Sequence, residues 1–174
     1  VFQFITETEL FELAGADLGF AKARQPNSSS VHTWEVAGTA HADAHYLRTL
    51  NMQGKLQFDD FLDLSIVIPI VNSAPQFMAM NSALHSLISW IAVGTPPASA
   101  PPIDTTDDTI IRDIYGNALG GLRLPHIEVP IALLSGEDGI PFSGKTVPFD
   151  MDTLATLYPD AGTYINAVKA SAET

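Results

Sequence analysis

The chain has 174 residues, which is enough for one domain with a buried core. Its 46% hydrophobic and 16% charged residues exclude a disordered protein. Twenty acidic against eight basic residues give a formal net charge of −12, which argues against nucleic-acid and anionic-membrane partners, because both attract basic surfaces. The chain contains no cysteine, so disulfides and thiolate metal sites are excluded. For the same reason cysteine usage does not indicate the redox compartment.

Two short strands are predicted in the first quarter of the chain. Residues 1–5 are apolar apart from one glutamine, and the acidic run at 6–9 (Thr-Glu-Thr-Glu) follows them directly. Residues 31–36 form the second predicted strand, which ends near Gly38, with His41 three residues beyond. Because functional side chains collect at the carboxyl ends of parallel strands, we expect the acids and the histidine to meet at one sheet edge.

The clearest predicted helix covers residues 76–93, where apolar side chains recur at spacings of three and four. Gly94 is a suitable C-terminal stop for it. Further helices are predicted at residues 40–50, 151–158 and 160–170. The apolar stripe of the long helix is predicted to be buried against the sheet; it consists of Phe77, Met80, Leu84, Leu87, Ile88 and Ile91.

Segments rich in proline and glycine separate these elements. Residues 98–108 are predicted to be an extended linker, and residues 115–130 carry the glycines and prolines of a loop with special backbone angles. A short strand is predicted at residues 127–134. The Gly120-Gly121 pair is expected to turn the chain so that the apolar residues after it cover the core, and the alternative is a loop that approaches a ligand closely.

The residue types that follow the two early strands fit nucleophilic catalysis. A histidine takes a proton from a serine hydroxyl and returns it to the leaving group, while a carboxylate orients the ring. In α/β-hydrolases the triad follows the chain order nucleophile, acid, histidine. His41 is therefore the candidate base, and the acids of the 6–9 run are candidates for the carboxylate. The alternative is that His41 only begins the next helix and is half exposed.

The other titratable residues considered are predicted to have structural roles. Glu35 is expected to make a structural hydrogen bond from the second strand, and Asp43 to cap the helix that follows it. His41 and His45 have the spacing of metal ligands on a helix, but no third ligand accompanies them. We therefore predict neither a metal site nor a cofactor.

Four stretches resemble the bacterial α/β-hydrolase domain family: "TETEL", "ARQPNSSSVHTWEVAGTAHAD", "HSLISWIAVGTPPASAPP" and "YGNALGGLRLPHIEVPIALLSG". The resemblance covers essentially the whole chain in order. It implies the α/β fold class, specifically the C-terminal part of an α/β-hydrolase fold with late parallel strands, packing helices and long loops. It also implies a serine esterase-like activity.

The resemblance further implies which acid works with the histidine. In such proteins the fourth residue of a G-E-x-D turn is the triad acid, and that position matches Glu9 here. Aspartate is commoner there, so Glu9 departs slightly from the pattern, and Glu7 is the second candidate. The catalytic residues implied are thus His41 with Glu9 or Glu7.

The nucleophile elbow of this family, of G-x-S-x-G type, precedes the segment that matches Val1. The sequence contains no such elbow, and Ser135 and Ser143 follow the histidine and lack the required glycine spacing. We therefore expect residues 1–174 to be a single partial domain without an internal boundary. Its expected partners are the N-terminal half of the same hydrolase, in the same precursor or a separate chain, and a small-molecule ester.

A second hypothesis from another class remains open at this stage. Without a nucleophile among its 174 residues, the chain could be a non-catalytic structural or binding module of hydrolase-like fold. An ester-hydrolysis assay that depends on His41 separates the two hypotheses.

Overall fold

The computed structural model describes residues 1–11 and 19–173. These residues form six strands and five helices, together with short 3₁₀ turns at Glu7–Glu9, Phe20–Ala23 and Leu64–Ile66. In chain order the elements are β1 (Phe2–Thr6), β2 (His32–Val36), α1 (Ala44–Gln57), α2 (Gln76–Val93), β3 (Thr105–Thr106), β4 (Thr109–Ile110), α3 (Pro125–Glu128), β5 (Ala132–Ile140), β6 (Gly144–Pro148), α4 (Met151–Leu157) and α5 (Ala161–Ala172).

Strands β1 and β2 are parallel, as predicted. Phe2 lies opposite His32 and Thr6 opposite Val36, so the two strands end at the same edge of the sheet. Leu122 forms a parallel bridge to Val36 on the far side of β2. Within the described ranges β1 pairs only with β2, and its second edge has no strand partner. The 3₁₀ turn after β1 and the loop after β2 therefore leave the sheet side by side.

The remaining strands form two small antiparallel sheets, β3 with β4 and β5 with β6. The fold is therefore of the mixed α/β class. The strand predicted at residues 127–134 is wrong in its first half. Pro125 begins the short helix α3 at a position where a missing N–H costs nothing, and β5 starts only at Ala132, after Pro130.

The main core lies between the loop after β2, the middle segment of the chain and β5. Its buried members are Leu10, Ala37, Ala74, Ile103, Ile110, Ala118, Ile127 and Leu134. Two of them, Ala37 and Leu134, adjoin the backbone that carries the polar residues of the sheet edge. Gly120 and Gly121 both have positive φ, and the chain after them brings Ile127 into this core, as the sequence indicates.

Helix α2 has the predicted bounds, and Gly94 ends it in the left-handed conformation. Its predicted buried stripe is wrong. The helix buries Ala79 and Ala83 in a second cluster with Trp34 and Val36, whereas the stripe residues Phe77, Leu84, Ile88 and Ile91 are exposed by 39–77%. The helix residues buried beside Trp34 are thus the small alanines.

Aspartates begin three of the helices. Asp43 accepts a hydrogen bond from the Tyr46 N–H and caps α1, which confirms its predicted role, although α1 starts later and runs further than predicted. Asp150 and Asp160 cap α4 and α5 in the same way, so the two predicted C-terminal helices are confirmed. A side-chain oxygen satisfies an N–H that would otherwise lack a partner.

Among the described residues, no helix is both long and apolar enough to span a membrane.

The packing of α2 gives a prediction about stability. Ala83→Leu adds three carbons to a position that is only 5% exposed, so we expect it to lower the free energy of unfolding by about 1–3 kcal/mol, as overpacked core sites do. The control is Ile91→Ala, at a side chain that is 77% exposed, which should change that free energy by less than about 0.5 kcal/mol. Urea denaturation followed by circular dichroism measures both. A large loss of unfolding free energy in Ile91→Ala, with no loss in Ala83→Leu, would instead support the buried stripe predicted from periodicity.

Candidate functional site

The candidate site lies at the edge where β1 and β2 end. Glu9 Oε1 is 2.6 Å from His41 Nδ1, so the structure brings together the two residues that the sequence analysis places first. The Glu9 side chain is 24% exposed and the His41 side chain 56% exposed. The pair is thus partly shielded at the carboxylate and open at the imidazole.

Glu9 is held at both of its oxygens. Its Oε2 accepts hydrogen bonds from the Thr6 backbone N–H, at 2.7 Å, and from the Thr6 hydroxyl. A side chain that reaches back three residues to an N–H at the start of a turn is one half of a capping box. The short 3₁₀ turn at Glu7–Glu9 therefore fixes the carboxylate and leaves Oε1 directed at His41.

The backbone of the histidine is tied to the same turn. The His41 N–H donates to Thr8 Oγ1 at 3.1 Å, and the Thr8 hydroxyl donates to the Gly136 carbonyl at 3.0 Å. The Glu7 N–H donates to the Thr39 carbonyl at 3.2 Å. Thr8 is only 6% exposed, so its hydroxyl links the loop after β2 to β5 inside the protein.

Glu7, the second candidate acid, has a different position. Its side chain is fully buried and accepts hydrogen bonds from the N–H groups of Gly38, at 2.6 Å, and Gly136, at 2.9 Å. The Arg112 guanidinium donates to Glu7 Oε2 at 3.0 Å. None of its hydrogen bonds among the described residues goes to the His41 ring. Glu7 therefore connects three segments of backbone beneath the Glu9–His41 pair.

Burial strongly affects the Glu7 carboxyl group. Removal from water raises the pKa of Glu7, because desolvation penalises the charged form, and the nearby Arg112 charge and the Gly136 and Gly38 N–H groups oppose this rise. A buried carboxylate is tolerated when a cation and hydrogen bonds compensate its charge. All three compensating groups point at Glu7, so the loss of this carboxylate would disturb each of them.

Sequence reasoning missed Arg112. Its Nη2 donates to Glu7, to Glu137 Oε2 at 2.8 Å and to Ser135 Oγ at 3.1 Å, while Nη1 donates to the Gly116 carbonyl at 3.2 Å. The available signal was composition, because a chain with only eight basic residues has few cations to neutralise its acids. Nothing in the local sequence, however, indicates that Arg112 reaches Glu7.

Gly38 turns the chain between β2 and the histidine. Its φ is +70°, a conformation that side chains rarely adopt, and a Cβ there would lie 2.2 Å from Ile127 Cδ1. Its N–H donates to Glu7, and its carbonyl accepts from Asn72 Nδ2 at 2.8 Å. Glycine is therefore required both for the backbone angle and for the close packing.

Asn72 is another neighbour of the loop after β2 that the sequence did not reveal. Its side chain is fully buried and also donates to the Ser135 carbonyl at 3.1 Å. Its backbone accepts from the Ala44 N–H at 2.7 Å and donates to the Ser143 carbonyl at 2.8 Å. One asparagine thus joins the start of α1, the loop before it and the β5–β6 hairpin.

The other candidate residues have structural partners. Glu35 forms a bidentate ion pair with Arg24, with both N···O distances 2.7 Å, and accepts from the Ile103 N–H, which agrees with its predicted structural role. His45 stacks on Phe77 with ring centroids 4.7 Å apart. In the described part of the chain no three His, Asp or Glu side chains are grouped to hold a metal ion.

The two serines considered in the sequence are both buried. Ser135 is 1% exposed, and its Oγ accepts hydrogen bonds from Arg112 and the Glu137 N–H. Ser143 is 5% exposed. Within the described residues neither serine is hydrogen-bonded to the His41 ring.

The comparison with protein families covers every residue named above. The family model described as "Alpha/beta hydrolase domain" matches residues 1–174. No curated protein and no solved structure matches the chain. The family match thus includes both parallel strands, the acidic turn and the histidine loop.

The buried carboxylate gives a second prediction. Glu7→Ala leaves Arg112 and two N–H groups without their acceptor, and loss of one partner of a buried ion pair costs about 3–5 kcal/mol. The matched control is Glu137→Ala, which removes the more exposed acceptor of the same Arg112 and should cost about 1 kcal/mol or less. Thermal or chemical unfolding of the variants measures the difference. Equal losses of unfolding free energy in both variants would contradict the greater contribution of Glu7 to stability.

Proposed function

The chain belongs to the alpha/beta hydrolase domain family, and we propose that it supplies the acid, Glu9, and the histidine, His41, of a Ser-His-acid triad that hydrolyses esters. The observation that carries the proposal is the 2.6 Å contact between Glu9 Oε1 and His41 Nδ1. Both residues follow parallel strands at the same sheet edge, which is where sites form in α/β sheets.

The contact assigns a role to each nitrogen of the ring. An ionised carboxylate only accepts hydrogen bonds, so His41 Nδ1 carries the proton in this contact. Nε2 is then the basic nitrogen. In the described part of the chain no group hydrogen-bonds Nε2, and the side chain is 56% exposed. The ring is therefore oriented to take a proton from a hydroxyl group that approaches from solvent.

The chemistry follows from this orientation. Nε2 removes the proton of a serine hydroxyl as its oxygen attacks the ester carbonyl, and it then donates the proton to the departing alcohol. Glu9 stabilises the positive imidazolium that forms between these two steps. Thr6 keeps Glu9 from rotating away through its two hydrogen bonds to Oε2, so the geometry persists while the charge changes.

We place the nucleophilic serine outside these 174 residues, on a preceding segment of the same polypeptide or on a partner chain. Among residues 1–11 and 19–173, β1 pairs only with β2, so a further strand of a parallel sheet can pair along its other edge, which supports this placement. The substrate would be a small-molecule ester. The net charge of −12 disfavours nucleic acid and anionic membranes as partners.

The alternative function is a non-catalytic structural or binding module. It is favoured by Ser135 and Ser143, which are both buried and which, among the described residues, make no hydrogen bond to the His41 ring. Under this alternative the Glu9–His41 contact would only stabilise the fold, and its removal would change the unfolding temperature without affecting any hydrolysis.

The test is ester hydrolysis by the full-length protein that contains this chain, with a short-chain ester such as 4-nitrophenyl acetate. We expect His41→Ala to lower kcat/KM by about 10³-fold or more, and Glu9→Gln by a comparable factor, because a carboxamide no longer stabilises the imidazolium. The matched control is His45→Ala, which removes a nearby imidazole that stacks on Phe77 and should leave kcat/KM nearly unchanged.

The variants also separate the two functions. Unchanged hydrolysis in His41→Ala, or no hydrolysis by the wild-type protein above that of buffer, would overturn the triad proposal in favour of the module. Glu9→Asp provides a graded control, because it keeps the charge but shortens the side chain by one methylene. Partial activity in Glu9→Asp with none in Glu9→Gln would support an orienting carboxylate.

A further inference from the structure

The turn between β5 and β6 has an unusual residue at its third position. The Ser143 N–H donates to the Ile140 carbonyl at 2.9 Å, which closes a four-residue β-turn with Pro141 second and Phe142 third. Phe142 has φ of +67°. A positive φ at the third position typifies type II turns, where glycine or asparagine is strongly preferred. Phenylalanine there is unfavourable for the backbone.

Phe142 is 38% exposed, so part of its ring is open to solvent while the rest is covered. Strained residues that persist in a structure cluster at functional sites. A residue at positive φ whose ring is partly open to solvent is therefore a candidate for a functional contact.

The ring lies beside the candidate catalytic histidine. The ring centroids of Phe142 and His41 are 5.9 Å apart and the rings are tilted by 59°. The Phe142 carbonyl accepts a hydrogen bond from the Ala42 N–H at 2.8 Å, and the Ser143 carbonyl accepts from the Asn72 N–H at 2.8 Å. The carbonyls of Phe142 and Ser143 thus fasten the hairpin to the residue after His41 and to Asn72.

We propose that Phe142 is a specificity-determining residue that selects esters with an apolar alcohol group; this inference rests on the proposed function. His41 Nε2 must lie within hydrogen-bond reach of the alcohol oxygen, because it protonates that oxygen. We place the carbon atoms attached to that oxygen against the Phe142 ring, because this ring adjoins the imidazole. An aromatic face binds an alkyl or benzyl group there and excludes water from it.

The reaction step shows why the alcohol side is affected. The serine oxygen forms a bond to the acyl carbon, and the bond between that carbon and the alcohol oxygen breaks. The proton that His41 took from the serine passes from Nε2 to the alcohol oxygen, so the alcohol leaves neutral. Phe142 takes no part in the proton transfer and acts only by contact with the leaving group.

Two substitutions separate the ring from the turn. Phe142→Gly removes the ring and suits the positive φ, so the relief of the backbone conformation offsets part of the lost packing and the variant should remain folded. Phe142→Leu keeps an apolar side chain at the same backbone position. In the full-length protein, the kcat/KM for hexyl acetate relative to methyl acetate should fall about tenfold or more in Phe142→Gly and be largely retained in Phe142→Leu. An unchanged ratio in Phe142→Gly would overturn the inference while leaving the triad intact.

A binding experiment gives a result that does not depend on catalysis. Titration of the full-length protein with 1-hexanol, followed by the NMR signals of the His41 ring, should show saturable shifts that methanol does not produce. In Phe142→Gly the apparent dissociation constant should rise about tenfold. Saturable binding that requires Phe142, without any hydrolysis, would support the apolar site and overturn the proposed function alone. Equal affinity of hexanol for wild type and Phe142→Gly would overturn the inference.

Discussion

The buried carboxylate of Glu7 is the interaction on which the sheet edge depends. It lies at the end of β1 with no exposed surface, and it accepts hydrogen bonds from the loop after β2 and from β5. Arg112 supplies the compensating charge. An uncompensated carboxylate in this position would be very unfavourable, so Glu7 is stable there only when the three segments that supply its partners are in place together. Their positions in turn define where His41 leaves the sheet.

Two glutamates in one short turn thereby have separate tasks. Glu7 points inward and connects backbone segments, whereas Glu9 lies nearer the surface and contacts the His41 ring. Thr8, between them, binds the backbone of the histidine. A 3₁₀ turn rotates successive side chains by about a third of a circle, which directs neighbouring residues to different surroundings. The ring and its backbone are consequently held by one continuous stretch of chain.

Helix α2 shows what periodicity does and does not predict. The spacing of its apolar residues and the glycine after it were sufficient for its bounds. The buried face was predicted wrongly, because nearly every face of this uncharged helix is apolar, and the residues that it buries beside Trp34 are the small Ala79 and Ala83. The strand expected at residues 127–134 failed for a related reason, since its apolar run includes the start of a helix at Pro125.

The sequence by itself predicted the two early strands and the acid and histidine after them, because these follow from local hydrophobic pattern and chain order. The α/β class and the parallel order of the strands were expected from the likeness to α/β-hydrolases. The sequence left Glu7 and Glu9 as alternatives, and only the tertiary structure decided which of them contacts His41. Arg112 lies 105 residues from Glu7, and Phe142 is far from His41 in sequence. Such contacts depend on how distant segments pack, and the local pattern of residues does not predict that packing.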